Sequence, residues 1–188
     1  MVRGLDIFQE RFAAYVDQYV LIGGTAASLT MEEAGLEFRA TKDLDIVLHV
    51  EALTPAFGEA FWMFVEDGGY EIRQASDTGK PIFYRFQKPA DARYPAMVEL
   101  FARAPYGFQP AEGSQLTPIP LDEAVSSLSA ILLDEVYYAF IMAGRREVDG
   151  LPWVGEDRLI PLKAIAWLEL TARKEQGAKV DAKDVRKH

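Results

Sequence analysis

Leu5, Phe8, Phe12, Tyr15 and Val16 recur at helical spacing, which predicts an amphipathic helix over residues 5 to 17. The apolar run Tyr19-Val20-Leu21-Ile22 then reads as a short buried strand that Gly23-Gly24 stops. Thr25 stands as the N-cap of a second helix over residues 25 to 34, closed near Gly35. From Thr41 to Leu48 the period changes to two. Leu44, Ile46 and Leu48 share one face of a strand, and Asp43, Asp45 and Val47 share the other.

Pro55 opens a helix rich in Phe and Ala that ends at Asp67-Gly68-Gly69. Tyr70 to Arg73 begins a strand, Asp77-Thr78-Gly79-Lys80 signals a turn, and Ile82 to Phe86 returns as the second arm of a hairpin. Met97 to Phe101 is a further apolar strand interrupted by Glu99. Residues 104 to 120, rich in Pro, Gly and polar side chains, read as an irregular surface loop. A short strand near Leu128 to Leu132 precedes a brief helix capped by Asp134, and Val148 to Pro152 is a turn. A long helix follows from about Glu156 to Gln176, its inward stripe Leu159, Leu162, Ala166 and Leu170, ended by Gly177. Asp181 to His188 begins another helix. The pattern is that of an α+β fold, a mixed β-sheet packed with helices. Residues 1–125 form the core and residues 126–188 a mostly helical portion that closes a cleft, within one structural unit.

Composition narrows the chemistry. With 188 residues, 49% of them hydrophobic, the chain can bury a core of its own. It has no cysteine, which excludes a disulfide framework, a thiolate nucleophile and a zinc ribbon. No apolar stretch is long enough to span a bilayer, and the first residues carry no apolar signal region, so a cytoplasmic protein without membrane contact is expected. The net charge of -9 argues against broad electrostatic binding to nucleic acid. Arg158 to His188 nevertheless holds eight Lys or Arg against four Asp or Glu, either a solvated helix face or one that meets phosphate.

Asp43 and Asp45 are the centre of interest. Like charges so close on one strand face resist joint ionisation unless a cation sits between them. Mg²⁺ is commonly held by one or two carboxylates, with water and substrate phosphate completing its shell. Alternating Asp-Leu-Asp also describes any strand with a wet face, so the pair gains meaning from what precedes it. Gly23-Gly24, between a strand and a helix N-terminus, lets backbone N–H groups approach a phosphate, and the helix dipole adds positive potential there. His49 lacks a second His or Cys beside it and reads as a packed or surface imidazole; Arg85 and Lys88 could reach a nucleotide or acceptor strand, but Arg85 alternates with aromatics as a solvent-facing strand residue does.

Val20-Leu21-Ile22-Gly23-Gly24-Thr25 followed by Thr41-Lys42-Asp43-Leu44-Asp45-Ile46 resembles the signature of the DNA polymerase β-like nucleotidyltransferase superfamily. The stretch from Leu159 through Lys163 to Asp184 is similar to the C-terminal motif of its AbiEii-type branch, which includes toxin components of toxin–antitoxin systems. The resemblance implies a nucleotidyltransferase-like core in which Gly23, Gly24 and Thr25 bind the triphosphate and Asp43 and Asp45 ligate Mg²⁺ (or Mn²⁺). Glu99 matches the third carboxylate, as a ligand of a second metal or as the base for the incoming hydroxyl, and Lys163 would neutralise triphosphate charge. The implied activity is transfer of a nucleotidyl group from an NTP to an RNA such as tRNA, a protein or a small molecule, with a cognate antitoxin as a possible partner. Two features depart from the pattern: the gap between Gly24 and Asp43 is longer than in minimal members, and the third acid is Glu. The alternatives are a non-catalytic nucleotide-binding or regulatory protein on the same fold, and an acidic interaction protein in which the motif is coincidental.

Overall fold

The computed structural model describes residues 2–75, 82–106, 116–119 and 129–177. In chain order the α-helices are α1 (Leu5–Phe12), α2 (Gly23–Glu33), α3 (Pro55–Gly68), α4 (Glu135–Ala143) and α5 (Glu156–Glu175). The strands are β1 (Tyr19–Ile22), β2 (Asp43–Leu48), β3 (Glu71–Ala75), β4 (Ile82–Gln87), β5 (Met97–Ala102), β6 (Leu116–Pro118), β7 (Ser129–Leu132), β8 (Arg145–Val148) and β9 (Leu151–Val154). The first predicted helix divides, its second half tightening into a 3₁₀ segment over Ala13–Gln18 with Tyr15 outside helical geometry. That segment buries Gln18, whose Oε1 accepts from the backbone N–H and the hydroxyl of Thr54. Thr54 in turn caps α3 by accepting from Phe57 N–H, Pro55 follows in the first turn, and Gly69 ends the helix at φ 60°.

The sheet runs in the order β3-β4-β5-β2-β1-β9-β8 and is mixed. β1 is antiparallel to β2, whereas β2 with β5 and β1 with β9 are parallel. β7 continues along β5 beyond β4 and carries β6 at its own side. One face of the central strands presents Tyr19, Leu21, Leu44, Ile46, Leu48, Phe86, Val98 and Leu100, all fully buried. It packs against Phe8 and Phe12 of α1 and Phe57, Phe61 and Phe64 of α3. Ring centroids lie 4.4 Å apart for Phe8 and Phe12, 5.4 Å for Phe12 and Phe57, and 5.2 Å for Phe61 and Phe86. Such pairs add about 0.5–1.5 kcal/mol each to the burial of their surface. The aromatic part of the core thus lies on the α1/α3 side; on the opposite face Val20 and Val47 are buried as well, and polar groups gather at its end by Asp43 and Asp45, near the start of α2, against which α5 packs.

Several expectations need correction. The helix after the glycine turn starts at Gly23, and Thr25 is not its N-cap: no side chain caps α2, and the Thr25 hydroxyl donates to the Asp43 carbonyl at 2.9 Å. Leu116–Pro118, inside the section read as irregular, is a strand. Val148 to Pro152 is the tip of a hairpin, with Asp149 (φ 52°) and Gly150 (φ 72°) as its two turn residues between β8 and β9. The chain after residue 128 therefore contributes β7, β8 and β9 to the sheet as well as α4 and α5. The Asp77-Thr78-Gly79-Lys80 turn and the Asp181 to His188 helix lie outside the described residues.

Candidate functional site

β1 and β2 are paired so that Ile22 stands opposite Asp45. The next residue, Gly23, takes φ +64° and sits directly on the Asp45 carboxylate: a Cβ there would lie 2.1 Å from Oδ2. Only glycine permits both the backbone conformation and the approach. Gly24 is equally tight against Thr41, where an added Cβ would meet Oγ1 at 2.7 Å. The Thr25 to Asp43 hydrogen bond holds the first turn of α2 against the start of β2. Since no side chain caps α2, its first backbone N–H groups stay open to an anion beside the two aspartates.

A row of side chains crosses the sheet at this level. Register aligns Arg85 of β4, Glu99 of β5, Asp45 of β2 and Ile22 of β1, and laterally paired residues share a face. Asp43, two residues from Asp45 on the same strand, shares it as well. The structure thus brings Asp43, Asp45 and Glu99 to one surface beside Gly23. Glu99, 12% exposed at its side chain, is held from the other direction by Arg85, whose Nε donates to Oε1 at 2.5 Å. Among the described residues no three His, Asp or Glu side chains converge closely enough to hold a metal ion between them.

The electrostatics match this crowding. Burial pushes the Asp45 carboxyl up to about 7, and the charges of Glu99 and Asp43 push the same way against the weaker pull of Lys163 and Arg85. Lys163, half-buried on α5, is within electrostatic reach of Asp45; burial lowers its pKa, the nearby Arg39 guanidinium lowers it further, and Asp45 raises it. Lys163 and Arg85 are thus the cations whose charge reaches the crowded Asp45. The Asp43–Asp45 pair suits a hard divalent cation held by two carboxylates, with phosphate and water at the other positions. Glu99, engaged by Arg85, is not placed as its third ligand, and the Thr25 hydroxyl is occupied by the Asp43 carbonyl.

Arg85, read as a solvent-facing strand residue, is instead paired with Glu99, and Arg39 escaped the sequence reading. Arg85 would have been found from the register of β4 on β5, which places it opposite Glu99. Arg39 carries no periodic signal, because it lies on the segment that leads back to β2. His49 is as expected: its Nδ1 donates to the Asp17 carbonyl at 3.0 Å, far along β2 from the aspartates. No helix among the described residues is long and apolar enough to cross a membrane. Comparison with known proteins finds no matching family model, no matching curated protein and no matching solved structure.

Proposed function

We propose that this chain is a nucleotidyltransferase: it binds a nucleoside triphosphate with Mg²⁺ (or Mn²⁺) at Asp43 and Asp45 and passes the nucleotidyl group to a hydroxyl of an RNA, protein or small-molecule acceptor. The observation that carries the reading is the contact of Gly23 with the Asp45 carboxylate, which joins an uncapped helix N-terminus to an acidic pair. Backbone N–H groups of Gly24 and Thr25 donate to phosphate oxygens, and the Lys163 ammonium, within electrostatic reach of Asp45, adds positive charge. The bound ion would neutralise phosphate charge and orient the triphosphate. The acceptor oxygen bonds to the α-phosphorus, the bond to the bridging oxygen breaks, pyrophosphate leaves, and the acceptor proton passes to a carboxylate or to solvent. Catalysis of this kind is chiefly positioning and charge neutralisation, and needs no protein nucleophile.

The test is transfer of label from α-labelled NTPs, with Mg²⁺, to candidate tRNA and protein acceptors. Wild type is expected to give a labelled product that Asp43→Ala and Asp45→Ala do not. Label that persists in both variants contradicts the assignment. The Arg85–Glu99 ion pair favours one second reading, a non-catalytic nucleotide-binding protein that serves as half of a two-protein system such as a toxin and its antitoxin. Under that reading Mg²⁺–NTP binds without release of pyrophosphate.

A further inference from the structure

α5 is apolar on two sides. Leu159, Leu162, Ala166 and Leu170 turn inward, Leu159 buried and the other three half-buried, where the helix packs on α2 and β9. On the other side every exposed residue from Ile160 to Leu168 is apolar: Ile160, Pro161, Ala164, Ile165, Trp167 and Leu168. Ile160 is 67% exposed, Trp167 45% and Leu168 58%. Ile160, Ala164, Trp167 and Thr171 follow at i, i+4, i+7 and i+11 with Leu168 beside them, so they form one stripe along about three turns of helix. Leu36, Met63, Tyr106 and Val136, also exposed, come from separate segments. Single exposed apolar side chains need no explanation, whereas a continuous stripe marks a contact surface.

The stripe is complementary to itself. α5 begins acidic at Glu156 and Asp157 and ends basic at Arg173 and Lys174. Glu156 and Lys174 stand about five whole turns apart, which puts them on the same flank of the stripe. When a second copy of the helix is laid antiparallel with Ala164 facing Ala164, Ile160 meets the partner subunit's Leu168 and Glu156 comes beside the partner subunit's Lys174. Two-fold symmetry repeats both contacts. A parallel arrangement would instead set acid beside acid and base beside base. Glu156 is accessible for such a contact: its side chain is 63% exposed, with Oε2 3.9 Å from Arg146 Nη2. The small side chain at the crossing point lets the helix axes approach to the usual distance of about 8–10 Å.

We propose that two copies of this chain associate through this face, as an antiparallel α5–α5 pair about a two-fold axis at Ala164. The contact is independent of the nucleotide reading above. A single helix pair lies at the small end of specific interfaces, so association is expected at micromolar concentrations.

The test is sedimentation equilibrium of the full chain from low micromolar to several hundred micromolar, where wild type is expected to pass from monomer to dimer. Leu168→Glu, at an exposed position, should weaken the dimer at least about tenfold with thermal unfolding unchanged. Glu156→Lys and Lys174→Glu should each weaken it severalfold, and the two together should recover it, because the charges are exchanged and still opposed. The chain has no cysteine, so a single introduced one can pair only with its own copy. Ala164→Cys should give a disulfide-linked dimer on mild oxidation, since facing Cα atoms about 3–6 Å apart fall within the reach of a disulfide. Arg173→Cys, about two and a half turns further on and on the opposite side of the helix, should not. Wild type that stays monomeric throughout overturns the proposal and leaves the face to another occupant. A dimer that Leu168→Glu leaves intact, that the double charge exchange fails to recover, or that Arg173→Cys crosslinks as readily as Ala164→Cys overturns it as well.

Discussion

Asp45 on β2 and Glu99 on β5 are register partners in a parallel pair, so two carboxylates stand side by side on the polar face of the sheet. Gly23 closes on the first and Arg85 on the second. Arg85 is thus the counter-charge that pairs with Glu99 beside an acid that resists ionisation. Arg85→Gln should lower the unfolding free energy at pH 8 without metal by about 1–3 kcal/mol, the usual scale for losing a charge-assisted hydrogen bond. It should also raise Mn²⁺ affinity several-fold, because Glu99 is freed to face a cation. Denaturant unfolding and a Mn²⁺ titration check the two effects.

The crowding also sets a pH dependence. Asp45 titrates near 7 in the fold against 3.8 as the ordinary value, so between those values the folded chain keeps a proton that the unfolded chain releases. Stability present below about pH 4 is therefore lost as the pH rises towards 7. Asp45→Asn should flatten this slope and gain about 1–3 kcal/mol over wild type at pH 8, with little gain at pH 4. Urea unfolding at the two pH values measures the difference, and saturating Mg²⁺ should reduce it.

Gly23→Ala tests the close approach. The left-handed backbone costs about 1–2 kcal/mol for a residue with a Cβ, and the added carbon must also displace the Asp45 carboxylate. Nucleotide binding should fall more than stability does. Gly150→Ala, at a similar φ but with nothing within 4 Å of the added Cβ, should carry the backbone cost alone. Thermal unfolding and nucleotide titration on the two variants separate strain from site geometry.

Much of this was legible in the sequence because the signals are local. The apolar run of β1, the Gly23-Gly24 turn, the alternation that puts Asp43 and Asp45 on one face, and the Pro55 start of α3 all lie within a few residues of what they specify. The β8–β9 hairpin was not legible beyond its turn. Arg145-Arg146-Glu147-Val148 is too charged to read as a strand, and Pro152 argues against one, yet all four residues of β9 are buried next to β1. Thr25 misled because its hydroxyl has a tertiary partner, the Asp43 carbonyl, in place of a cap. The Arg85–Glu99 pair depends on the register of separate strands, which no periodicity encodes.

Lys163 should act on nucleotide rather than on the fold. Its ammonium sits half-buried near Arg39, an arrangement that gains little without an anion. Lys163→Met should weaken Mg²⁺–NTP binding about tenfold, roughly 1.4 kcal/mol, while leaving metal-free stability unchanged or slightly higher. Parallel calorimetric and unfolding measurements on this variant distinguish phosphate contact from a packing role.

The central claim is that Asp43 and Asp45, backed by Gly23, hold a metal–nucleotide complex. Calorimetric titration of each NTP in the presence and absence of Mg²⁺, on wild type and on Asp43→Asn/Asp45→Asn, tests it most directly. The account predicts saturable, Mg²⁺-dependent one-to-one binding in wild type that the double variant loses. No binding by wild type at millimolar nucleotide, or binding that the double variant retains undiminished, would contradict it.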